Sequence, residues 1–516
     1  MSHYDVIIVG GGPVGMGLAI DLSQRGLKVV VLEKYAQPQP VPKGQNLTGR
    51  TMEIAASWGV EKRLRALRTT DRSKNTGGLV SWGTLLSGHH YEWLNRGLVS
   101  RYYDEPNERL PQYQTEAALR ARVAELPDAT VLYGLEYRSA EQDDVGCRVT
   151  AVYRDDVAER QFTANYVVGC DGSRSKLRED ADITQTIEDH DKRMLLAVFK
   201  STELDEVLGE HRNYSIFNNL SPELKGYWQF LGRVDDQREW FFHAPVQVDH
   251  DFSDKDVADL LATVVGKPID VDLGYLGFWD LRFALADRYR NNRLLIAGDA
   301  AHSHPPYGGY GINSGFEDAR NLGWKLEAVV KGWAHEILLD TYDFERRNVF
   351  RSTIRDFIRR SIESDAEFLD KFDPNRDADA FATEMARRRD FSFKEVEQFA
   401  PHYTGSPLSY RTEGTPSSIG SHEFAAVPGV KLSRHPDYVN PGPIAPAGSF
   451  VLVCGGKPLE PPPDLAAPVR VVVSQTAYMG GRVVLLRPDG YVALNEPVEM
   501  ASEALGDYFR MNGYIA

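Results

Sequence analysis

The sequence predicts an α/β protein. Its centre is a Rossmann-like dinucleotide-binding domain, into which a mixed or antiparallel-sheet domain is inserted. Three observations carry this expectation. An apolar run, Val6-Ile7-Ile8-Val9, leads into glycines at the G-x-G-x-x-G spacing, Gly10, Gly12 and Gly15. Far downstream, RLLIAGDAAHSHPPYGGYGINSGFEDARNLGWKL repeats the order strand, turn, glycines, helix. Between them, residues 183–284 are mixed and aromatic and hold no such fingerprint, which suits an antiparallel sheet with helices.

The first unit is read residue by residue. A continuous apolar run is the signature of a buried parallel strand. Gly10 permits a tight turn, Gly12 lets a pyrophosphate approach the backbone, and Gly15 lets the helix pack close to the strand. An amphipathic helix runs from Val14 to Arg25, and Gly26 is placed to end it. The helix start offers free N–H groups and a positive dipole end to phosphates. A second strand, Val29 to Leu32, finishes on Glu33 and Lys34. Glu33 stands where a carboxylate accepts from both hydroxyls of an adenosine ribose. Its charge disfavours a 2′-phosphate, so the site suits the adenosine of FAD or NAD.

After the Pro-rich loop Gln37 to Pro42, Lys43 and Arg50 lead into a helix starting near Thr51. They could reach a pyrophosphate or a flavin edge, or simply decorate a solvated helix start. Gly77-Gly78, Trp82, His89-His90, Tyr91 and Trp93 suggest short strands and turns in a substrate-facing insertion. Leu119, Val123 and Leu126 form a helical stripe, with Gln114 just ahead of that helix. Strands are expected over 130–133, 148–154 and 166–168, the last running into the turn at Asp171-Gly172. A buried strand, Leu294 to Ala297, ends on Gly298-Asp299. The glycines at 308, 309 and 311 then precede a helix from about Asn313 to Lys331, and another helix covers 341–360. The ARRRD run at 386–390 reads as a solvated helix face. Pro441 to Pro446 and Pro461 to Pro463 read as breakers, and LLRPDGYVAL as a hairpin.

A chain of 516 residues exceeds one ordinary core. The expected division is a discontinuous dinucleotide domain (1–75, 106–180, 285–350), a substrate domain (76–105, 181–284), a helical connection (351–400) and a C-terminal domain (401–516). The net charge of −15 argues against a nucleic-acid or anionic-membrane partner. No apolar run is long enough to span a membrane. The first strand begins almost at Met1, which leaves no room for a signal peptide. Cys147, Cys170 and Cys454 form neither a disulfide framework nor a metal spacing, so a cytoplasmic protein without a metal is expected. A homodimer is left open.

The two glycine units lie far apart, and one long cofactor explains both. FAD fits: its adenosine end at the first unit, its flavin end at the second. Asp299 would hydrogen-bond the ribityl or pyrophosphate region, or else cap a turn. The helix N-terminus at Gly311 to Asn313 would aim N–H groups at the flavin pyrimidine and stabilise an anionic reduced flavin. With one fingerprint occupied by FAD, a nicotinamide cofactor must visit transiently.

GGGPVGMGLAIDLSQRGLKVVVLEK, VVGCDGSRSKLR and LLIAGDAAHSHPPYGGYGINSGFEDARNLGWKL together resemble the class A flavoprotein aromatic hydroxylases. The resemblance covers residues 4 to 350. The hairpin LLRPDGYVAL resembles the end of the thioredoxin-like domain of phenol-hydroxylase relatives, here without C-x-x-C. It implies an FAD-dependent monooxygenase: NADPH or NADH reduces the flavin, O2 gives a C4a-hydroperoxide, and a small phenolic substrate is hydroxylated ortho or para to its hydroxyl. It also implies roles. Gly12, Pro13, Val14 and Glu33 would hold the ADP part, and Arg50 and Gln114 the flavin or pyrophosphate. Asp171 and Gly172 would serve FAD and the nicotinamide visitor, and Asp299 the ribityl chain. Gly311, Ile312 and Asn313 would meet the pyrimidine edge, with Pro306 beside the reacting oxygen. Many relatives have Gln at Tyr310, Met at Ile312 and a His within the stretch that here reads Gln45-Asn46-Leu47-Thr48. The base those relatives use is therefore not visible, and His302, His304, Tyr307 and Tyr310 are nearby candidates, or else packing residues around the flavin. A flavin reductase or dehydrogenase on the same scaffold, and a non-catalytic flavoprotein, are the competing expectations.

Overall fold

The computed structural model describes residues 2–71, 75–154, 158–247, 252–434, 448–474 and 480–514; the expected Pro441–Pro446 breaker lies outside them. The fold is α/β, as the sequence predicts. Parallel strands stand in the order Leu294–Ile296, Glu159–Gly169, Ser2–Val9, Val29–Glu33, Ala129–Tyr133. Val6, Ile7 and Ile8 are fully buried, as strands covered on both faces require. The sheet grows outward on both sides of Ser2–Val9, so a crevice opens at the strands' carboxyl ends. Gly10, Glu33, Cys170-Asp171 and Gly298-Asp299 all fall there, although the chain separates them widely.

The second sheet is mostly antiparallel. Its order is His302–Ser303, Asp272–Ala286, Gln185–Lys200, Glu239–Gln247, Gln229–Arg233, Tyr214–Leu220, Asn75–Trp82, His90–Trp93. Asn75–Trp82 runs parallel to Tyr214–Leu220, which brings the early aromatic stretch into the later sheet. The capped helix Asp254–Val265 packs on one face through Val257, Leu261, Val264 and Val265. The other face carries Trp93, Trp228 and Phe230, packed with Tyr307 and the helices that follow residue 340.

At the C-terminal end, Phe450–Gly455 pairs in parallel with Val469–Ser474 and antiparallel with Arg482–Leu486. Arg482–Leu486 then pairs with Val492–Pro497, and helix Val498–Met511 covers the sheet. This is a thioredoxin-like strand order, with coil rather than a helix between its first two strands. Its hairpin turn penetrates the first domain. Arg487, fully buried, donates to both oxygens of Glu345 (2.6 and 2.9 Å) and to Asp489. Lys325 and Ser406 also bond Glu345. Burial alone would raise the Glu345 pKa; Arg487 and Lys325 outweigh it and hold the carboxyl far below the usual range.

Three local expectations are corrected. Gln114 lies inside the helix Gln112–Val123 rather than ahead of it. The helix expected from about Asn313 starts at Tyr310, because Gly308 and Gly309 both take left-handed backbone angles and turn the chain early. In the ARRRD run Arg387 and Arg389 are exposed, but Arg388 is buried. Its helix packs on the neighbouring Arg360–Lys371, so the middle guanidinium points inward, onto Asp365 and over the Phe368 ring.

Candidate active site

The nucleotide cleft is built from backbone shape. A Cβ on Gly15 would lie 2.0 Å from the Gly10 carbonyl oxygen, and one on Gly10 2.3 Å from that of Cys170. Those glycines are required by the protein's own packing. Gly12 differs: its φ is −73° and, among the described residues, a Cβ there would meet nothing within 4 Å. It caps a helix with Pro13 at the first position, so the first-turn N–H groups face open space. That is the cradle a pyrophosphate needs. Val14 is half-buried beside it, and Lys34 is exposed at the far end of the unit.

Glu33 is 7% exposed. Its carboxylate accepts the Gly11 N–H at 2.6 Å and the Tyr35 N–H at 2.7 Å, leaving lone pairs for ribose hydroxyls. Asp299 presents an exposed side chain to the cleft. The protein walls around it raise its pKa above the carboxylate norm, while His302 and Lys43 pull it down. Lys43 is exposed and donates to Gln39 at 3.3 Å. Asp171 accepts from Ser175 Oγ and from the N–H groups of Lys176 and Leu177. It thereby fixes the short helix after the turn, in which Gly172 has φ +86°. Gln114 is half-buried, and it is Gln112 that reaches the cleft wall, accepting the Gly44 N–H at 3.2 Å.

The loop from His302 to Asn313 is clamped from elsewhere. Asp318 accepts from the Gly298 N–H (3.0 Å), bonds His302 Nε2 (2.7 Å) and accepts from Arg346 Nε (2.7 Å). Burial opposes its charge, but His302 and Arg346 bring its pKa down to about 2. His302, 1% exposed and stacked 3.8 Å from Phe350, is thus a bracket rather than a free base. His304 turns Nδ1 to the Pro305 carbonyl, while its Nε2 is buried without a partner among the described residues; burial lowers its pKa to about 4. Pro306 is half-buried. Tyr307 is 2% exposed and its hydroxyl accepts the Trp228 N–H at 2.8 Å, which ties the loop to the second sheet. Asn313 accepts from the Thr48 N–H and Thr51 Oγ1 and donates to the carbonyls of Asn46 and Gly309.

The helix that follows presents two sides. Ile312 packs near Gly44, Gly311 near His304 and Gly315 against Val14. Tyr310, Asn313 and Glu317 instead line a mostly apolar cavity beside the helix start, together with Arg96, Tyr103 and Phe399. Arg50 stands in that wall. It donates to Glu317 Oε1 (2.7 Å) and to the Asp489 carbonyl (2.7 Å), so its hydrogen bonds tie helix Tyr310–Val330 to the C-terminal hairpin. Gln112, Asp318, Arg346 and Glu395, which bonds Tyr310, were not legible as site residues. Gln112 gave no signal because it stands before the apolar stripe from which that helix was read.

A family model described as an FAD binding domain matches residues 3–356. This chain belongs to the class A flavoprotein hydroxylases. It is 32% identical over 400 residues to 4-methyl-5-nitrocatechol 5-monooxygenase of a Burkholderia species, covering 74% of this chain and 71% of that one. A Streptomyces halstedii protein described as a polyketide hydroxylase is 34% identical over 376 residues, covering 70% of this chain. The chain spans 66% of that relative's length. The crystal structure of the flavin-dependent monooxygenase PieE with FAD and substrate has the same fold, with a TM-score of 0.82, 22% identity and 99% of both chains covered. This hydroxylase-family chain binds FAD, and the open cradle at Gly12 and the accessible Asp299 fit that cofactor. Among the described residues no helix is long and apolar enough to cross a membrane, and no group of His, Cys, Asp and Glu could hold a metal ion.

Proposed function

We propose that this flavoprotein is an NAD(P)H-consuming monooxygenase that places one oxygen atom from O2 ortho or para to the hydroxyl of a phenolic ring. The observation that carries the reading is the cavity beside the start of helix Tyr310–Val330. It adjoins the segment that the family resemblance assigns to the flavin edge, its walls are mostly apolar, and Tyr103, Tyr310 and Arg96 are among the polar groups that line it. A planar ring suits such walls, and a phenolic hydroxyl suits those polar groups.

FAD, when bound, supplies the oxygen-activating chemistry. The chain supplies the rest. Gly12, Pro13 and the helix N-terminus take the pyrophosphate, Glu33 the adenosine ribose, and Asp299 the ribityl chain, with Lys43, Arg50, Asp171, Gly172 and Gln114 as further contacts. Backbone groups of Gly311, Ile312 and Asn313 orient the pyrimidine edge. Phe399, Val396 and Leu94 exclude water from the ring. Tyr310 is placed to hold or pass the substrate's proton, whereas Tyr307 and His304 shape the loop beside Pro306. The nicotinamide donor visits transiently, since one fingerprint is present and FAD takes it.

The test is a phenol panel scored by stimulated NADH and NADPH oxidation, then by product mass. A product one oxygen heavier supports the reading. Reduction that consumes donor without oxygen uptake would instead support a reductase, and an FAD that neither donor reduces would support a non-catalytic flavoprotein.

A further inference from the structure

We propose that Glu395 is the proton acceptor of the cavity, taking the proton of a bound aromatic ligand's acidic hydroxyl through the hydroxyl of Tyr310. The inference rests on the reading of the cavity as the substrate site and adds a residue to it. Glu395 lies in helix Ala378–Gln398, beyond the segments that carry the family resemblance.

The geometry is a two-step chain. Tyr310 forms part of the cavity wall, and its hydroxyl donates to Glu395 Oε1 at 3.2 Å. Glu395 stands behind it. The Tyr310 ring is held between Phe399, 4.4 Å away centre to centre, and Phe357, 6.0 Å away. A ring so packed keeps its hydroxyl between the cavity and the carboxylate. Arg96 lines the same cavity. Among the described residues its guanidinium donates to the Gly308 carbonyl (2.6 Å) and forms no ion pair. Its positive charge faces Glu395 and can offset an anion forming in the cavity once that carboxylate takes up a proton.

The charges facing Glu395 are those of Arg96 on the turn 96–102 and Arg360 on the adjoining helix; the hydroxyls of Tyr310 and Tyr91 face the same region. Burial raises the Glu395 pKa, and Tyr310, Arg96 and Arg360 pull it back, leaving it at about 7. A carboxyl so poised can accept and return a proton near neutral pH. Burial pushes Tyr310 well above 10, so it passes a proton without resting as a phenolate. In the step, the ligand O–H breaks and its proton goes to the Tyr310 oxygen while the Tyr310 proton moves to Glu395. A phenolate ligand, a neutral tyrosine and a neutral carboxylic acid remain. No electron is transferred, and the negative charge moves from Glu395 into the cavity with Arg96.

The test is infrared difference spectroscopy of the FAD-loaded full chain against pH. A protonated-carboxyl band should titrate near neutral pH and be missing in Glu395→Gln. Just above that midpoint, 2-naphthol should restore the band and show its own anion absorption, because its proton has moved onto Glu395. Tyr310→Phe, which keeps the ring, should shift the midpoint upward and abolish the response to 2-naphthol. A band that does not titrate near neutral pH, a silent response at the solubility limit of 2-naphthol, or a Tyr310→Phe protein that responds like wild type would each overturn the relay. A positive phenol panel with a silent band sinks only the relay. A responsive band without any hydroxylated product sinks only the hydroxylase reading.

Discussion

Gly12 and Gly15 belong to one fingerprint, yet the structure separates their reasons for being glycine. In Gly12→Ala the new methyl meets nothing within 4 Å, and the φ of −73° is open to any residue. The apoprotein should therefore lose no stability. It should gain about 0.4–1 kcal/mol from the lower entropy of its unfolded chain. FAD affinity should nevertheless fall at least tenfold, about 1.4 kcal/mol, because the methyl occupies the space left for the pyrophosphate. Gly15→Ala should do the opposite first. Its methyl would lie 2.0 Å from the Gly10 oxygen and 3.3 Å from Cys170 Cβ, so helix and strand must move apart. Overpacking of that kind costs about 1–3 kcal/mol before any ligand is added. The assay is FAD binding by flavin fluorescence, alongside thermal unfolding of both apoproteins. A Gly12→Ala protein that binds FAD like wild type would refute the placement of the pyrophosphate. A Gly15→Ala apoprotein as stable as wild type would refute the packing argument.

Asp299→Ala should weaken FAD binding roughly ten- to a hundredfold, the loss of one charge-assisted hydrogen bond, with the fold retained by circular dichroism. Arg487→Met strips a buried carboxylate of its two-toothed partner, and denaturant unfolding should report a loss of about 3–5 kcal/mol; a loss below 1 kcal/mol would mean that Lys325 alone compensates Glu345. Glu395 has a folded pKa raised from 4.5 to about 7, so the folded state binds its proton more tightly. Its contribution is fully present below 4.5 and is lost as pH rises through 7, with an upper bound of roughly 3 kcal/mol. Wild-type apoprotein should lose stability relative to Glu395→Gln across that window, and a difference flat with pH would contradict the assignment.

Much of the fold was written locally. Val6 to Val9 is apolar without interruption, which suits only an element buried on all sides, and the glycine spacing after it encodes a turn and a close helix. Leu294 to Gly311 repeats that logic, so both walls of the crevice at the strands' carboxyl ends were readable from neighbours in the chain. The thioredoxin-like tail was announced by its hairpin, LLRPDGYVAL.

What the sequence by itself determined is the backbone: strands, turns, helix starts, and therefore where a dinucleotide can lie. Periodicity and turn chemistry act over a few residues and are visible there. Tertiary structure alone decided the partners of the charged and polar side chains. His302 looks like a free base in HSHPP until Asp318 and Phe350 enclose it. Arg50 leads into a helix in the sequence, and only packing gives it hydrogen bonds to Glu317 and to the Asp489 carbonyl, far along the chain. Arg388 sits in a charged run and is nonetheless buried on Asp365. Glu395, in an unremarked helix, meets Tyr310 because packing brings the last turn of that helix to the start of Tyr310–Val330. A long side chain takes its role from whatever packing brings within about 3 Å, and with Coulomb and desolvation terms this large, that distance decides between a bracket and a base.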